Sequence, residues 1–100
     1  MARGLEYLEE ALQEAEAAAR WYAERSPSAA LAFSNEIEAA EDAIVRTPEA
    51  WPPYNHGTRR FLLRRFPYAI VYRIESGRIL VVALSHGRRQ PGYWQSRMPR

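Results

Sequence analysis

Pro48, Pro52, Pro53 and Gly57 crowd the middle of a 100-residue chain, and the spacing of apolar residues changes from one side of them to the other. A segment holding three prolines, each without a backbone donor, continues neither a helix nor a sheet ladder. The chain is therefore split into two parts that fold by different rules. Before the break apolar residues recur at three- and four-residue steps; after it they form short runs rich in β-branched and aromatic side chains.

Upstream, Leu5 to Leu8 alternates apolar and acidic character and is expected to be a short first strand. From Glu9 to about Arg25 the spacing predicts a helix with Leu12, Ala15, Ala19 and Tyr22 along its apolar stripe, on an alanine-rich body of high helix propensity. Ser26 then reads as an N-cap with Pro27 at the first helical position, where a missing N–H costs nothing. The second helix carries Ala30, Phe33, Ile37, Ala40 and Ile44 on one stripe, and Pro48 ends it near Arg46 or Thr47. The two helices are expected to form an antiparallel hairpin. Tyr22, Phe33 and Ile37 are assigned to the core, as is Trp21 or at least one side of it, and the acidic side chains of both helices to solvated faces.

Downstream, Pro48 to Gly57 is a loop, with Trp51 expected to pin it over the sheet and His56 on its surface. Thr58 to Phe66 is a candidate strand, Pro67 marks a reversal into Tyr68 to Glu75, Ser76-Gly77 is a tight turn, and Ile79 to Ser85 is apolar enough for a central strand buried on both faces. The expected fold is one α+β domain over residues 1–100 with the order β-α-α-β-β-β: a short N-terminal strand, an antiparallel helical hairpin, then a three-stranded antiparallel sheet with the helices packed on one face.

Composition removes several chemistries. With no cysteine the chain has no disulfide, no thiolate nucleophile and no cysteine-ligated metal, which suits a reducing compartment. His56 and His86, 30 positions apart, offer no metal-ligand spacing, so neither a metal nor another cofactor is expected. The longest apolar run, Ile79 to Leu84, falls far short of the roughly 20 residues that span a bilayer. An N-terminus carrying Glu6, Glu9 and Glu10 does not read as a signal peptide, so a cytoplasmic location away from membranes is expected.

Charge is the most informative quantity. Residues 1–50 hold four arginines against eleven acids, a net −7; residues 51–100 hold ten arginines against Glu75 alone, a net +9. All fourteen basic residues are arginine, which excludes a lysine base, Schiff base or phosphate clamp. Planar guanidinium groups suit bidentate contact with phosphate or carboxylate, so the basic part reads as a surface for nucleic acid or an acidic peptide. Arg64, Arg65 and Arg73, on expected strands, imply an exposed sheet face or groove.

The run Leu63-Arg64-Arg65-Phe66-Pro67-Tyr68-Ala69-Ile70-Val71-Tyr72-Arg73-Ile74, followed by Ile79 to Leu84 and then His86-Gly87-Arg88-Arg89 with Tyr93-Trp94 close behind, resembles the RelE/ParE superfamily of toxins from bacterial type II toxin–antitoxin systems, of the plasmid stabilisation type. The resemblance covers nearly the whole chain. It implies a growth-inhibiting toxin and a cognate acidic antitoxin, with a homodimer or a heterotetramer with antitoxin as possible assemblies. Two targets divide the superfamily: DNA gyrase, bound in the manner of ParE, and ribosome-associated mRNA, cut in the manner of RelE. A non-toxic binding module retaining the fold is the third alternative.

The residues rank these. RelE-like nucleases use lysines and an arginine just after the tyrosine of the third strand; this chain has no lysine, and Ala69 occupies that place. A histidine-using branch pairs histidine with a carboxylate, an arginine and a tyrosine, for which His86, Arg65 and Tyr93 are candidates and Glu75 is a poor one. A metal-independent endoribonuclease would draw on His86, Arg65, Arg89 and Tyr93, with His86 as acid or base and Arg88 and Arg89 on the phosphate. The ParE-like reading, which needs no catalytic set, comes first, with Arg64, Arg65, Arg73, Arg88, Arg89, Tyr93 and Trp94 as the residues that meet target or antitoxin. The C-terminal segment Gln90 to Arg100, broken by Pro91, Gly92 and Pro99, is expected to be functional rather than structural.

Overall fold

The computed structural model describes residues 4–98. Strand β1 (Gly4–Tyr7) leads into helices α1 (Glu9–Arg25) and α2 (Pro27–Arg46), followed by β2 (Pro53–Tyr54), β3 (Thr58–Leu62), β4 (Tyr68–Glu75) and β5 (Arg78–His86), with single 3₁₀ turns at Asn55–Gly57 and Gln95–Arg97. Pro99 and Arg100, part of the segment expected to be functional, lie outside the described residues.

Ser26 alone joins the helices. Its backbone N–H donates to the Tyr22 carbonyl, ending α1, while its hydroxyl accepts from the Ala29 N–H at 3.3 Å, starting α2 with Pro27 in the first turn. The Tyr22 and Phe33 rings, 5.0 Å apart, close the hairpin near this corner. The α2 stripe is the expected one, with Phe33, Ala40 and Ile44 buried. In α1 the buried residues are Ala11 and Ala18, and Leu12 is 46% exposed, so the stripe is turned by one residue from the expected phase. Alanines at 15, 17, 18 and 19 give the helix little contrast between faces, and packing against the sheet decides the rotation.

The sheet departs from the expected three antiparallel strands. It has five strands in the order β1-β5-β4-β3-β2, with β1 parallel to β5 and the other pairs antiparallel. Leu5 pairs with Ile79 and Tyr7 with Val81, so the N-terminal strand joins the sheet as an edge rather than standing apart. The other added strand lies inside the proline-rich loop, where Pro53 pairs with Arg59 and Tyr54 with Thr58. Proline is tolerated there because the position is an outer edge. β3 stops at Leu62 instead of Phe66, since the backbone N–H groups of Arg64 and Arg65 turn away to the Glu36 carboxylate on α2. Gly77, at φ 79°, makes the β4–β5 turn that Ser76-Gly77 predicts.

Alternation along the strands sorts the core into two layers. Ile70, Tyr72, Ile79, Val81 and Leu84 face the helices and pack with Phe33, Ala40 and Ile44. Val71, Leu80, Val82 and Ala83 face the other way and pack with Trp94. A register shift between Val71 and Tyr72 keeps both patterns in phase. Trp51 pins the loop as expected, its ring 4.6 Å from Phe61, and Arg59 ties the same loop down by donating to the carbonyls of Glu49 (3.0 Å) and Trp51 (2.6 Å).

Tyr72 is fully buried and donates its hydroxyl to the Pro48 carbonyl at 2.6 Å. Burial pushes its phenol up to about 12, with Arg59 pulling weakly the other way. Because the folded state keeps this proton after the unfolded chain has lost it, the associated stability is intact below pH 10 and falls as pH rises from about 10 to about 12. The loss expected from Tyr72 is on the order of 2 kcal/mol. Urea unfolding measured between pH 9 and pH 12 checks this, and a Tyr72→Phe chain whose stability falls as steeply would refute it.

Candidate functional site

The Ala-rich face of α1 leaves a cleft of about 470 Å³ against the end of β5 and the segment that follows it. Ala17 and Ala18 line it from the helix together with Glu14, Trp21 and Tyr22; Pro67, Tyr68, Leu84, His86, Arg89 and Tyr93 line it from the other side. Small side chains on a helix that packs against a sheet create the space, and aromatic rings wall it. Trp21, expected to bury at least one side, is about half exposed at this cleft, with the Arg25 guanidinium 3.6 Å from its ring centroid.

Glu14 organises the cleft. Its carboxylate accepts from the Leu84 backbone N–H at 3.1 Å, the Tyr93 hydroxyl at 2.6 Å, and both terminal nitrogens of Arg97 at 2.8 and 3.0 Å. Arg97 also donates to the Val82 carbonyl at 3.2 Å. Beyond Val81, β5 has no neighbour on the β1 side, so the Glu14–Arg97 pair caps two of its edge groups. Burial first, and then Glu14, pushes the Tyr93 phenol up to about 12, against the opposing pull of Arg97 and Ser85. Glu14 likewise raises Arg97 above its ordinary value.

Three of the four candidate catalytic residues, His86, Arg89 and Tyr93, share this cleft. The fourth does not. Arg65 lies in a separate groove beside Arg64, Asn35, Glu36 and Ala39, its Nε 3.5 Å from Glu36. Arg73 pairs with Glu75 at 3.1 Å near the far end of β4. Arg88 is exposed and gives its backbone N–H to His86 Nδ1 at 3.0 Å, while the His86 ring meets Tyr68 edge-on at 5.0 Å. The Arg89 guanidinium lies 3.9 Å from the Tyr93 ring centroid.

Two corrections follow. Trp94, grouped with the residues that meet a partner, is fully buried against the sheet and offers no surface for contact. The helical acids are not simply solvated faces: Glu14 holds the C-terminal segment, Glu36 holds the end of β3, and Glu41 accepts the Tyr7 hydroxyl. Sequence reasoning passed over Glu14 and Tyr68 as site residues, and held Arg97 only within the C-terminal segment expected to be functional. An acid at the spacing of Glu14, Ala18 and Trp21, on the face of α1 turned to the sheet, was the signal available for the first of them.

Among the described residues no helix is long and apolar enough to cross a membrane. No curated protein matches the chain by sequence. Among solved structures, the chromosomal ParDE toxin–antitoxin system from P. aeruginosa contains a chain with the same fold: TM-score 0.72, 20% identity, covering 85% of this chain and 96% of that one. Residues 5–91 match the family described as the ParE toxin of the type II toxin–antitoxin system parDE. The edge strand from Leu5 onward, the helical hairpin and the three long strands fall within that match, and the chain belongs to the ParE toxin family.

Proposed function

We propose that this ParE-type toxin arrests growth by binding DNA gyrase, and that an acidic antitoxin, partly disordered when free, neutralises it by folding along the helical hairpin and the arginine-bearing sheet. Family membership carries the reading. The side chains support it: the RelE-like set is incomplete, because Ala69 stands where those enzymes place an arginine and lysine is absent from the sequence, and the histidine-using set is divided, because Arg65 lies in a different groove from His86. Fourteen arginines, ten of them after residue 50, favour a partner that presents carboxylates.

A second reading, metal-independent cleavage of mRNA on the ribosome, draws on one observation: Glu14, a carboxylate, lines the same cleft as His86, Arg89 and Tyr93. Both Glu14 oxygens already accept hydrogen bonds from Tyr93 and Arg97, so the group is committed to holding structure.

Inducible expression without an antitoxin separates the two. Growth arrest is expected with intact RNA, together with loss of supercoiling by purified gyrase. Cleaved mRNA with unimpaired supercoiling would replace the first reading with the second. Co-expression with its acidic antitoxin should restore growth, and replacing both Arg64 and Arg65 by glutamate should weaken that rescue.

A further inference from the structure

We infer that Glu14 is a positioning residue for the toxic activity: through the Tyr93 hydroxyl it fixes Arg89 at the mouth of the α1 cleft, and that mouth meets an acidic surface of the target. The inference rests on the reading of the chain as an active toxin and names the surface it uses.

Glu14 gathers more donors than its structural role needs. A half-buried carboxylate needs hydrogen-bond partners to offset lost solvation, and the Leu84 N–H with the two Arg97 nitrogens already satisfy it. Those three contacts also complete the edge of β5, which is a sufficient structural role. The Tyr93 hydroxyl is a fourth donor, at 2.6 Å, that the strand edge does not require.

What this fourth contact adds is geometry. With its hydroxyl held, the Tyr93 ring is approached by two guanidinium groups, Arg89 at 3.9 Å and Arg97 at 5.0 Å from the ring centroid. Arg97 is occupied by Glu14 and Val82, whereas Arg89 is exposed and lines both the α1 cleft and the groove on the opposite sheet face, beside Gly87 and Pro91. An exposed arginine ordinarily loses rotamer freedom when it engages a partner. Stacking on an anchored ring removes part of that freedom in advance, so a carboxylate on the target meets a cation already aimed at it.

The residues of this mouth beside Arg89, namely His86, Tyr68 and Trp21, present no carboxylate, and the acid that lines the cleft, Glu14, is neutralised by Arg97. The face is therefore complementary to an acidic surface bearing an apolar side chain that fits the alanine-lined cleft. In this respect it differs from the Arg64–Arg65 groove, where Glu36 holds the local charge.

The test uses the full chain expressed without antitoxin, with growth arrest and gyrase inhibition titrated for Glu14→Gln, Tyr93→Phe, Arg89→Gln and the Glu14→Gln/Tyr93→Phe pair. Each single change is expected to lower potency about tenfold, the loss of one charge-assisted contact. The pair should be no worse than Glu14→Gln alone, because both changes break the same connection. Tyr93→Phe keeps the ring and leaves the β5 edge capped, so it reports on positioning even if Glu14→Gln folds poorly. A Tyr93→Phe chain as potent as the parent, or single effects that multiply in the pair, would overturn the inference while leaving the gyrase reading intact. A parent that arrests growth without inhibiting gyrase overturns the gyrase reading instead, and growth arrest then scores the same four variants. A parent with no effect on growth overturns both.

Discussion

Replacing Trp94 by alanine is expected to lower unfolding free energy by about 3–5 kcal/mol, and truncating the chain after Arg89 is expected to abolish the cooperative thermal transition. The indole is fully buried and packs on Val71, Leu80, Val82 and Ala83, which form the sheet face that the helices do not cover. Removing it exposes that face and leaves a cavity the surrounding strands are too rigid to fill. For a domain of this size the corresponding fall in Tm is roughly 15–30 °C. Trp94→Phe should avoid most of the loss, since an aromatic ring still covers the strands. Thermal unfolding followed by circular dichroism measures all three chains, and a truncated protein that melts cooperatively within a few degrees of the parent would show that the segment is dispensable for folding.

The same segment is held from two further sides. His56, at φ 60° in the loop before β3, meets Trp94 edge-on at 5.8 Å, and Tyr54 lies 6.1 Å from it. Gly92, at φ 82°, turns the chain back beneath His56, whose Nε2 would lie 3.4 Å from any added Cβ. Tyr93 and Arg97 then close on Glu14 from the helix side. Residues 90–98, irregular apart from one 3₁₀ turn, thus form a third layer.

Local signals were legible in the sequence where they act locally. Ser26-Pro27 starts α2, Pro48 ends it at Arg46, one of the two residues expected, and Ser76-Gly77 places the β4–β5 turn. Strand pairing is not a local property: Leu5 to Leu8 reads as a strand, but nothing within it specifies Ile79 and Val81 as parallel partners. Trp94 is the more instructive case. Ile79 to Ser85 was apolar enough to require cover on both faces, while the helical hairpin can cover only one. Tyr93, Trp94 and Met98 are the apolar residues left after β5, and Trp94, with Tyr93 and Met98 beside it, covers that second face. The inference was available by elimination; the proline and glycine content of the segment argued against it by suggesting irregular structure, and irregular backbone can still deliver a buried side chain. The candidate site was half legible. His86, Arg89 and Tyr93 are close in sequence and meet in space, whereas Glu14 reaches them only because α1 lies across β5.

Reversing charge at both Arg88 and Arg89 is expected to weaken growth inhibition at least about 100-fold, while His86→Gln is expected to leave it within a few-fold. Both arginines are exposed at the end of β5, and their replacement by glutamate sets like charges against any acidic partner surface, a cost of several kcal/mol at an interface. His86 is differently placed. Its Nδ1 accepts the Arg88 backbone N–H at 3.0 Å and its ring meets Tyr68, so its contacts shape the turn that presents the two arginines. Glutamine retains a side-chain oxygen able to accept that N–H. A positioned acid or base would behave otherwise, since its removal typically costs ~10² to 10⁴ in rate. Neither of the carboxylates available to serve a catalytic histidine is free: Glu75 pairs with Arg73 and Arg78, and Glu14 with Tyr93 and Arg97. The inducer concentration that halves the growth rate measures each variant, alongside RNA integrity. A parent that cleaves mRNA on the ribosome, beside a folded His86→Gln protein that cleaves none and permits growth, would move the chain to the nuclease side of its superfamily.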